Sequence, residues 1–300
     1  MSHLLPLLAA LCLACPTHAQ ERAEPASSQT RSLPWRALLE WQPADGTRVY
    51  ANGDTRLVIA PRACDGDGVP ACVEKQRTEV PVVTVTAPGM QPFTMTGALG
   101  TTYRFGMGRI ETGSARRAII LETFTGGAHC CSVIDVAVPE GDTYRIVRLR
   151  RKLPDGNSSD MFDATLEEFP IDLSGDGAAD FVLYDDAFLY RFASYAGSVA
   201  PPLILNVRDG RSIDVSRDPA FAPLFLIDMA KAREACINPE EAGWERNGAC
   251  AGYVADAARV GQFDAAWKIM LQHYGSGEPH SGKDFPGDLR DFLRKNGYIH

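Results

Sequence analysis

Four residues with side-chain oxygens recur at short intervals within residues 172–180, which have the sequence Asp-Leu-Ser-Gly-Asp-Gly-Ala-Ala-Asp. They stand at positions one, three, five and nine of the segment and are Asp172, Ser174, Asp176 and Asp180. Gly175 and Gly177 permit the tight curl that turns such oxygens toward one point. A hard cation such as Ca²⁺ takes about six to eight oxygen ligands, and the carbonyl of Ala178 with water would complete that number. The spacing therefore predicts a structural calcium site.

The residues after this loop indicate its setting. Phe181 to Tyr184 form an apolar run typical of a buried strand. Leu183 stands where an EF-hand has its bidentate Glu, so the pattern is not that of an EF-hand. The alternative interpretation is an Asp- and Gly-rich turn without an ion, because these residues dominate turns in any case.

The loop and strand together, Asp-Leu-x-Gly-Asp-Gly-x-x-Asp-Phe-Val, resemble the calcium loop of FG-GAP and VCBS-type repeats. Those repeats line β-propellers and related secreted β-modules. The resemblance implies that the side chains of Asp172, Ser174, Asp176 and Asp180 and the carbonyl of Ala178 bind the ion. A propeller needs several copies of such a unit, and the chain has one clear copy.

The start of the chain resembles a secretory signal over residues 1–19. Its apolar core, from Leu4 to Ala14, is too short to span a bilayer, and Thr17-His18-Ala19 resembles a cleavage site. Cys15 raises a lipoprotein alternative, but Cys12 stands where a lipobox has Leu. Soluble export to the periplasm or medium is the favoured prediction, with no transmembrane segment in the mature chain.

Charge limits the class of partner. The 300 residues carry a formal net charge of −8, which argues against a nucleic-acid partner. The exception is the basic run from Arg145 to Lys152. At strand spacing the run is typical of a solvated sheet edge protected by charge. A binding patch for an acidic partner is the alternative.

From residue 35 to about 214 the pattern predicts a β domain. Its candidate strands are rich in β-branched and aromatic residues and are separated by Gly, Pro and Asp clusters. They are 56–59, 80–87, 117–125, 131–138, 144–149 and 181–184. Short strands with frequent turns predict an antiparallel sandwich or a partial, propeller-like module. Residues 20–34 have the composition of a disordered lead.

Beyond residue 215 the pattern predicts a helical domain, so the fold class expected is α+β. Four segments place apolar residues three and four apart among helix-forming residues. They are 219–235, 249–260, 263–274 and 285–295. Ser216 or Asp218 is the expected N-cap ahead of Pro219. We place the domain boundary at 210–218, where Asp209-Gly210 interrupts the β pattern.

Removal of the signal leaves six cysteines, an even number that predicts disulfides in an exported protein. Proximity favours two pairings, Cys64 with Cys72 and Cys236 with Cys250. Spacing alone cannot fix connectivity.

The remaining cysteines, Cys130 and Cys131, lie in the segment Gly-Gly-Ala-His-Cys-Cys, which should form a hairpin turn. They could bond to each other as a vicinal disulfide. Together with His129 they could bind a soft metal, or Cys130 could be a nucleophile with His129 as its base. Long-range disulfides and buried free thiols are further alternatives. With the downstream acidic loop and helical end, the segment resembles a group of uncharacterised exported bacterial proteins. This resemblance implies a localisation and a fold, and it carries no established activity with it.

No other motif in the sequence predicts catalysis. The chain lacks a nucleophile elbow, a His-Glu-x-x-His pair and a phosphate-binding glycine loop. Glu167-Glu168 and Asp185-Asp186 offer paired carboxylates of the kind glycosidases use, but acids beside such a loop more often support an ion. We therefore expect no catalytic residues and a non-catalytic role, the recognition of a protein or envelope component. The alternative is a periplasmic hydrolase or thiol–disulfide enzyme with its site near Gly126–Cys131.

Overall fold

The computed structural model describes residues 30–34, 36–64, 79–127, 131–239, 245–278, 280 and 282–300. Strands lie before residue 215 and α-helices begin at residue 222. The fold class is α+β, as the sequence predicts. The strands within the described residues are β1 (Arg31–Ser32), β2 (Leu39–Trp41), β3 (Arg48–Asn52), β4 (Thr55–Ala63), β5 (Glu79–Thr86), β6 (Phe93–Thr96), β7 (Thr102–Gly108), β8 (Ala118–Phe124), β9 (Ser132–Glu140), β10 (Thr143–Arg148), β11 (Arg151–Lys152), β12 (Ser158–Ser159), β13 (Asp180–Tyr184), β14 (Pro202–Arg208) and β15 (Arg211–Asp214).

Two five-stranded sheets form a sandwich. The first has the strand order β1-β3-β4-β5-β6 and the second has the order β10-β9-β8-β7-β2. Neighbouring strands are antiparallel except for β1 and β3. The sheets share one apolar core, to which Leu57 and Val83 come from the first sheet and Phe105 and Leu121 from the second. Side chains alternate between the faces of a strand, so each sheet buries every second residue here.

The second sheet is covered on its other face as well. Ile120 and Ile134 point into a separate core with Phe162, Phe181 and Leu205. The last two belong to a three-stranded antiparallel sheet, β13-β14-β15. Coverage on both faces explains why β8 is buried at six consecutive residues rather than at alternate ones.

Asp209 and Gly210 form the turn of a two-residue hairpin that joins β14 to β15. Both have positive φ, 49° and 66°, and Arg208 pairs with Arg211 across the turn. Asp-Gly is favoured in such hairpins because both central residues must adopt this conformation. The β structure therefore continues to Asp214, four residues beyond the turn.

The helices within the described residues are α1 (Ala222–Ile237), α2 (Arg246–Arg259), α3 (Phe263–His273) and α4 (Phe285–Lys295). They match the four predicted segments closely. Asp218 accepts a hydrogen bond from the Ala220 amide at 2.9 Å and so caps the 3-10 turn Pro219–Phe221 that leads into α1, as predicted. In the part of the chain that the structure describes, no helix combines the length and apolar character that a membrane span needs.

Helix α2 occupies the centre of the helical region. A Cβ atom at Gly248 would lie 2.3 Å from the carbonyl oxygen of Gly197, and one at Gly252 would lie 2.7 Å from the Val199 side chain. The glycines thus allow α2 to lie directly on the loop between β13 and β14. The disulfide between Cys236 and Cys250, the pairing expected from the sequence, ties α2 to α1.

The expected disordered lead requires a correction at its end. Arg31–Ser32 pairs with β3 and Leu33 is buried in the sandwich core, so residues 30–34 are ordered. The composition of the segment does not predict this order, because one apolar side chain and a two-residue pairing are enough to fix it against the sheet. The predicted signal peptide, with Cys12 and Cys15, and the rest of the lead up to residue 29 lie outside the described residues.

Candidate metal centre

The acidic loop 172–180 lies between a β-bridge and a strand. Ile171 forms the bridge with Asp180, which is also the first residue of β13. Gly175 and Gly177 have φ values of 77° and 93°, in the left-handed region that favours glycine. The glycines have the turn-forming role that the sequence predicts, and the strand follows where expected.

The Asp172 carboxylate closes the curl of the loop. Its Oδ1 accepts hydrogen bonds from the amides of Gly175 at 2.7 Å and Asp176 at 3.2 Å. Its Oδ2 accepts one from the Gly177 amide at 2.9 Å. The Ser174 hydroxyl lies 3.4 Å from Asp172 Oδ1, within reach of a weak hydrogen bond. One side chain therefore satisfies three consecutive backbone donors, which fixes the backbone of the loop.

Asp180 anchors the loop to the sheet from inside. It is 2% exposed, and its Oδ2 accepts hydrogen bonds from the Leu173 amide at 2.7 Å and the Ser174 amide at 3.0 Å. Its Oδ1 accepts one from Asn206 Nδ2 at 2.6 Å. Asn206 is fully buried and lies directly opposite Asp180 in the β13–β14 register.

Asp176 lies at the surface and forms an ion pair with Arg208, at the end of β14. Its Oδ1 accepts a hydrogen bond from the Ala178 amide at 2.9 Å. That hydrogen bond, reinforced by the Arg208 guanidinium, lowers the pKa of the Asp176 carboxyl. Arg208 Nη2 also donates to Asn206 Oδ1 at 2.9 Å, so the guanidinium is held between the strand and the loop.

Oxygen donors of this kind suit a hard cation, since a carboxylate has about four lone-pair sites and those of Asp172 and Asp176 are not all used. In the described conformation, however, the positive charge at Asp176 comes from Arg208. Among the described residues, no three His, Cys, Asp or Glu side chains are grouped as metal ligands. The donor set fits Ca²⁺ in its chemistry, and an ion would have to displace Arg208.

Sequence reasoning missed Asn206 and Arg208. One signal was available, because Asn206 interrupts the apolar run Leu203 to Val207, and a polar residue inside a buried strand needs a buried partner. Nothing in the sequence places Arg208 beside Asp176, which is 32 residues away.

Strands β8 and β9, which flank the Gly-Gly-Ala-His-Cys-Cys segment, are antiparallel neighbours. The Thr125 amide donates to the Cys131 carbonyl at 2.8 Å, and Gly126 has a φ of 87°. Ala128, His129 and Cys130 lie outside the described residues, as does Cys72. Cys64 and Cys131 are both disulfide-bonded. Cys131 therefore has no free thiol to bind a soft metal, and Cys130 and His129, the pair of the nucleophile hypothesis, lie outside the described residues.

Sequence reasoning missed a buried acid in the second sheet. Glu122, on β8, is 1% exposed and forms an ion pair with Arg104 at 3.2 Å. Its Oε1 accepts a hydrogen bond from the Leu166 amide at 3.2 Å. Burial outweighs these contacts and raises the pKa of Glu122 to about 7.

Three of the four paired acids that the sequence offers form ion pairs with arginines. Asp185 and Asp186 both form ion pairs with Arg151. Glu168 forms an ion pair with Arg36. These acids therefore serve as structural partners of arginines.

Comparisons with known proteins give a family model for the helical region and two relatives. Residues 226–297 match the model described as the sll0997 C-terminal domain. This match covers most of α1 and the three helices that follow. No solved structure matches the chain.

Over the aligned residues, both relatives have a sequence identity below one third to this chain. The "Probable thylakoid lumen protein sll0997" of Synechocystis sp. is 32% identical over 202 residues, which are 61% of this chain and 56% of the relative. The "Uncharacterized protein y4bJ" of Sinorhizobium fredii is 27% identical over 210 residues, which are 63% of this chain and 31% of the relative. The chain thus covers about half of the first relative and a third of the second, and its similarity to both is confined to those parts.

Proposed function

We propose that this is an exported, non-catalytic protein that binds one Ca²⁺ ion at residues 172–180 and uses the ordered loop to recognise a protein or envelope component. The observation that carries the proposal is the position of the Asp172 carboxylate, which three amides hold at the centre of the curl. The loop is therefore ordered before an ion arrives, which lowers the entropic cost of binding. The resemblance to FG-GAP and VCBS-type loops supports the same site.

Export has support of three kinds. Residues 1–19 have the pattern of a secretory signal. A relative at 32% identity is named as a thylakoid lumen protein, a location that requires transport across a membrane. The disulfide between Cys236 and Cys250 is of the kind that persists in oxidising compartments.

Calcium binding has a specific mechanism on this loop. The ion takes the place of the Arg208 guanidinium at Asp176 and adds the Ser174 hydroxyl, the Ala178 carbonyl and water to its ligands. Arg208 is then free to leave the loop. Calcium therefore replaces the guanidinium as the cation at Asp176, and the backbone of the turn keeps its conformation. At a hundredfold excess of calcium over Kd, the ion would stabilise the folded chain by about 2.7 kcal/mol.

Calorimetric titration of the chelator-stripped protein with CaCl₂ tests this proposal. We expect one saturable site, lost in Asp176→Asn, which keeps an acceptor for the Ala178 amide but loses the charge. Asp155→Asn is the matched control, because Asp155 also accepts an amide hydrogen bond in an exposed turn. Arg208→Gln should bind calcium roughly two- to fivefold more tightly, since an exposed ion pair contributes up to about 1 kcal/mol.

Two results would contradict the proposal. One is the absence of binding by the unaltered protein at millimolar calcium, which would make the segment a turn without an ion. The other is unchanged binding by Asp176→Asn. For the recognition role, a pull-down from the envelope fraction that retains no partner, with or without calcium, would count against it.

A further inference from the structure

A cleft of about 1010 Å³ lies on the side of β10, β11 and β15, next to the end of α4. Residues from Arg145 to Pro154 line one wall, and residues from Gly210 to Arg217 line another. Residues 295–298 and Arg259 add the helical side. Its volume is at the upper end of the range for small-molecule sites, and it suits an extended ligand.

The charge of this cleft is opposite to that of the whole protein. Nine of the lining residues are Arg or Lys and two are Asp, whereas the chain has a net charge of −8. Both aspartates already have partners, because Asp185 pairs with Arg151 and Asp214 accepts a hydrogen bond from the Ser216 hydroxyl at 2.6 Å. The cleft is therefore a local positive surface that concentrates anions.

Much of this positive charge has no protein partner. Within the described residues, Arg150, Lys152 and Arg211 form no ion pair with a carboxylate, and all three are exposed. Since nothing in the fold requires these charges for pairing, they remain available to a ligand.

Other cations in the cleft are held in place. Arg151 is paired with Asp185 and Asp186, and Asp185 accepts a hydrogen bond from the Tyr298 hydroxyl at 2.8 Å. The guanidinium of Arg259 lies 4.1 Å from the centre of the Tyr298 ring. The cleft therefore combines arginines that are fixed in position with flexible, unpaired cations, and both kinds can bind oxyanions.

Two of the large apolar side chains that line the cleft are exposed. Ile146 on β10 and Ile213 on β15 are 46% and 39% exposed, beside the charged residues. An inorganic polyanion has no surface that benefits from such contacts. A sugar ring does, because its C–H faces are apolar while its substituents carry carboxylate or sulfate groups.

We propose that this cleft binds an acidic oligosaccharide, with its carboxylate or sulfate groups on the arginines and its rings against Ile146 and Ile213. The site is separate from the calcium loop and does not depend on the function proposed for it. Because the ligand contacts β10, β15 and the helical side together, its binding joins the β and helical parts of the chain.

Titration of the full chain with an oligogalacturonide and with a heparin-derived oligosaccharide, in EDTA and about 150 mM salt, tests the proposal. The two probes distinguish carboxylate from sulfate as the preferred oxyanion. Arg150→Gln with Arg211→Gln should weaken binding tenfold or more, because hydrogen bonds to charged groups each contribute more than neutral ones. Arg56→Gln, on an exposed residue of β4 outside the cleft, is the matched control and should change nothing.

A second pair of variants tests the sugar contact. Ile146→Ser with Ile213→Ser should weaken binding of the preferred oligosaccharide several-fold and leave binding of inorganic polyphosphate unchanged. If polyphosphate or an oligonucleotide binds as tightly as both oligosaccharides, or if the arginine variant keeps full affinity, the proposal is overturned. EDTA keeps this outcome independent of calcium, so failure here and failure of the calcium site are distinguishable.

Discussion

Two buried aspartates, one in the β part and one in the helical part, show opposite solutions to the same problem. Asp180 is 2% exposed and accepts three hydrogen bonds, from two backbone amides and Asn206. Asp256, on α2, is fully buried, and within the described residues neither of its oxygens receives a hydrogen bond from an N–H or hydroxyl donor. Burial is nearly equal, so the two carboxyl groups differ in the hydrogen-bond donors that reach them.

Asp256 is expected to keep its proton. Burial, together with the nearby Asp228 carboxyl on α1, raises the pKa of Asp256 to about 9, against a smaller opposing effect of Arg259. Burial also raises the pKa of Asp228, which Lys231 partly offsets. A protonated Asp256 can donate its hydrogen bond to Asp228, so the two acids share one proton. Asp256, which receives no hydrogen bond from an N–H or hydroxyl donor, thus acts as a hydrogen-bond donor itself.

The largest effect should come from removing the satisfied acid. In Asp180→Ala, the amides of Leu173 and Ser174 and the side chain of Asn206 lose their acceptor. We expect the free energy of unfolding to fall by about 3 kcal/mol, since each unsatisfied buried group costs about 1–3 kcal/mol. Urea unfolding at pH 7 measures this. A loss below about 1 kcal/mol would mean that water replaces Asp180 without difficulty.

Replacing Asp256, the unsatisfied acid, by a residue that does not titrate should instead raise the free energy of unfolding at neutral pH. The carboxyl of an unfolded Asp has an ordinary pKa of 3.8 and that of folded Asp256 is about 9, so unfolding releases a proton between these values. The contribution of Asp256 is therefore most favourable below pH 4 and is lost as the pH rises toward 9. The slope is at most about 1.4 kcal/mol per pH unit.

Asp256→Asn keeps the size and a donor for Asp228 but does not titrate. We expect it to match the unaltered protein near pH 4 and to exceed its free energy of unfolding by up to about 2.7 kcal/mol at pH 6, two units higher. Urea unfolding at several pH values measures the difference. If the free energy of unfolding depended on pH in the same way in both proteins, Asp256 would be charged in the fold, and its contrast with Asp180 would not hold.

Glu122 is an intermediate case and should give the smallest effect. It has one backbone donor and Arg104, and the pKa of its carboxyl is about 7. Its contribution is fully present below 4.5, the ordinary pKa of an unfolded Glu, and declines as the pH rises to 7. By the same linkage, Glu122→Gln should match the unaltered protein near pH 4 and exceed its free energy of unfolding by up to about 2 kcal/mol at pH 6, about 1.5 pH units above 4.5. Urea unfolding at the two pH values measures this, and a loss of stability at pH 6 would show that Glu122 resembles Asp180.

Local features of the chain were predictable from its sequence. Strands β4, β5, β8, β9, β10 and β13 and all four described helices lie where the periodicity places them, because their apolar pattern reports their own burial. The curl of the acidic loop was predictable from Gly175 and Gly177 for the same local reason. The domain boundary at 210–218 stays a prediction.

What the sequence did not reveal depends on residues that are distant in the chain. Arg208 meets Asp176 because β14 pairs with β13, and the cleft joins segments near residues 150, 211 and 297. Asp256 stands in an Ala- and Gly-rich helix, and its burial follows from the packing of α1 beside it. Such sites require the order of strands and helices, which periodicity does not supply.

The position of β10 at the edge of the second sheet has a consequence for how copies of the protein behave in concentrated solution. An edge strand exposes unpaired backbone groups, a template on which another copy could add. Arg150 directly after β10, Lys152 on β11 and Arg211 on the edge strand β15, which form no ion pair within the described residues, make such an approach repulsive. A variant that neutralises all three should therefore self-associate more readily, and light scattering would detect it. The basic residues of the cleft thus also protect the protein against aggregation.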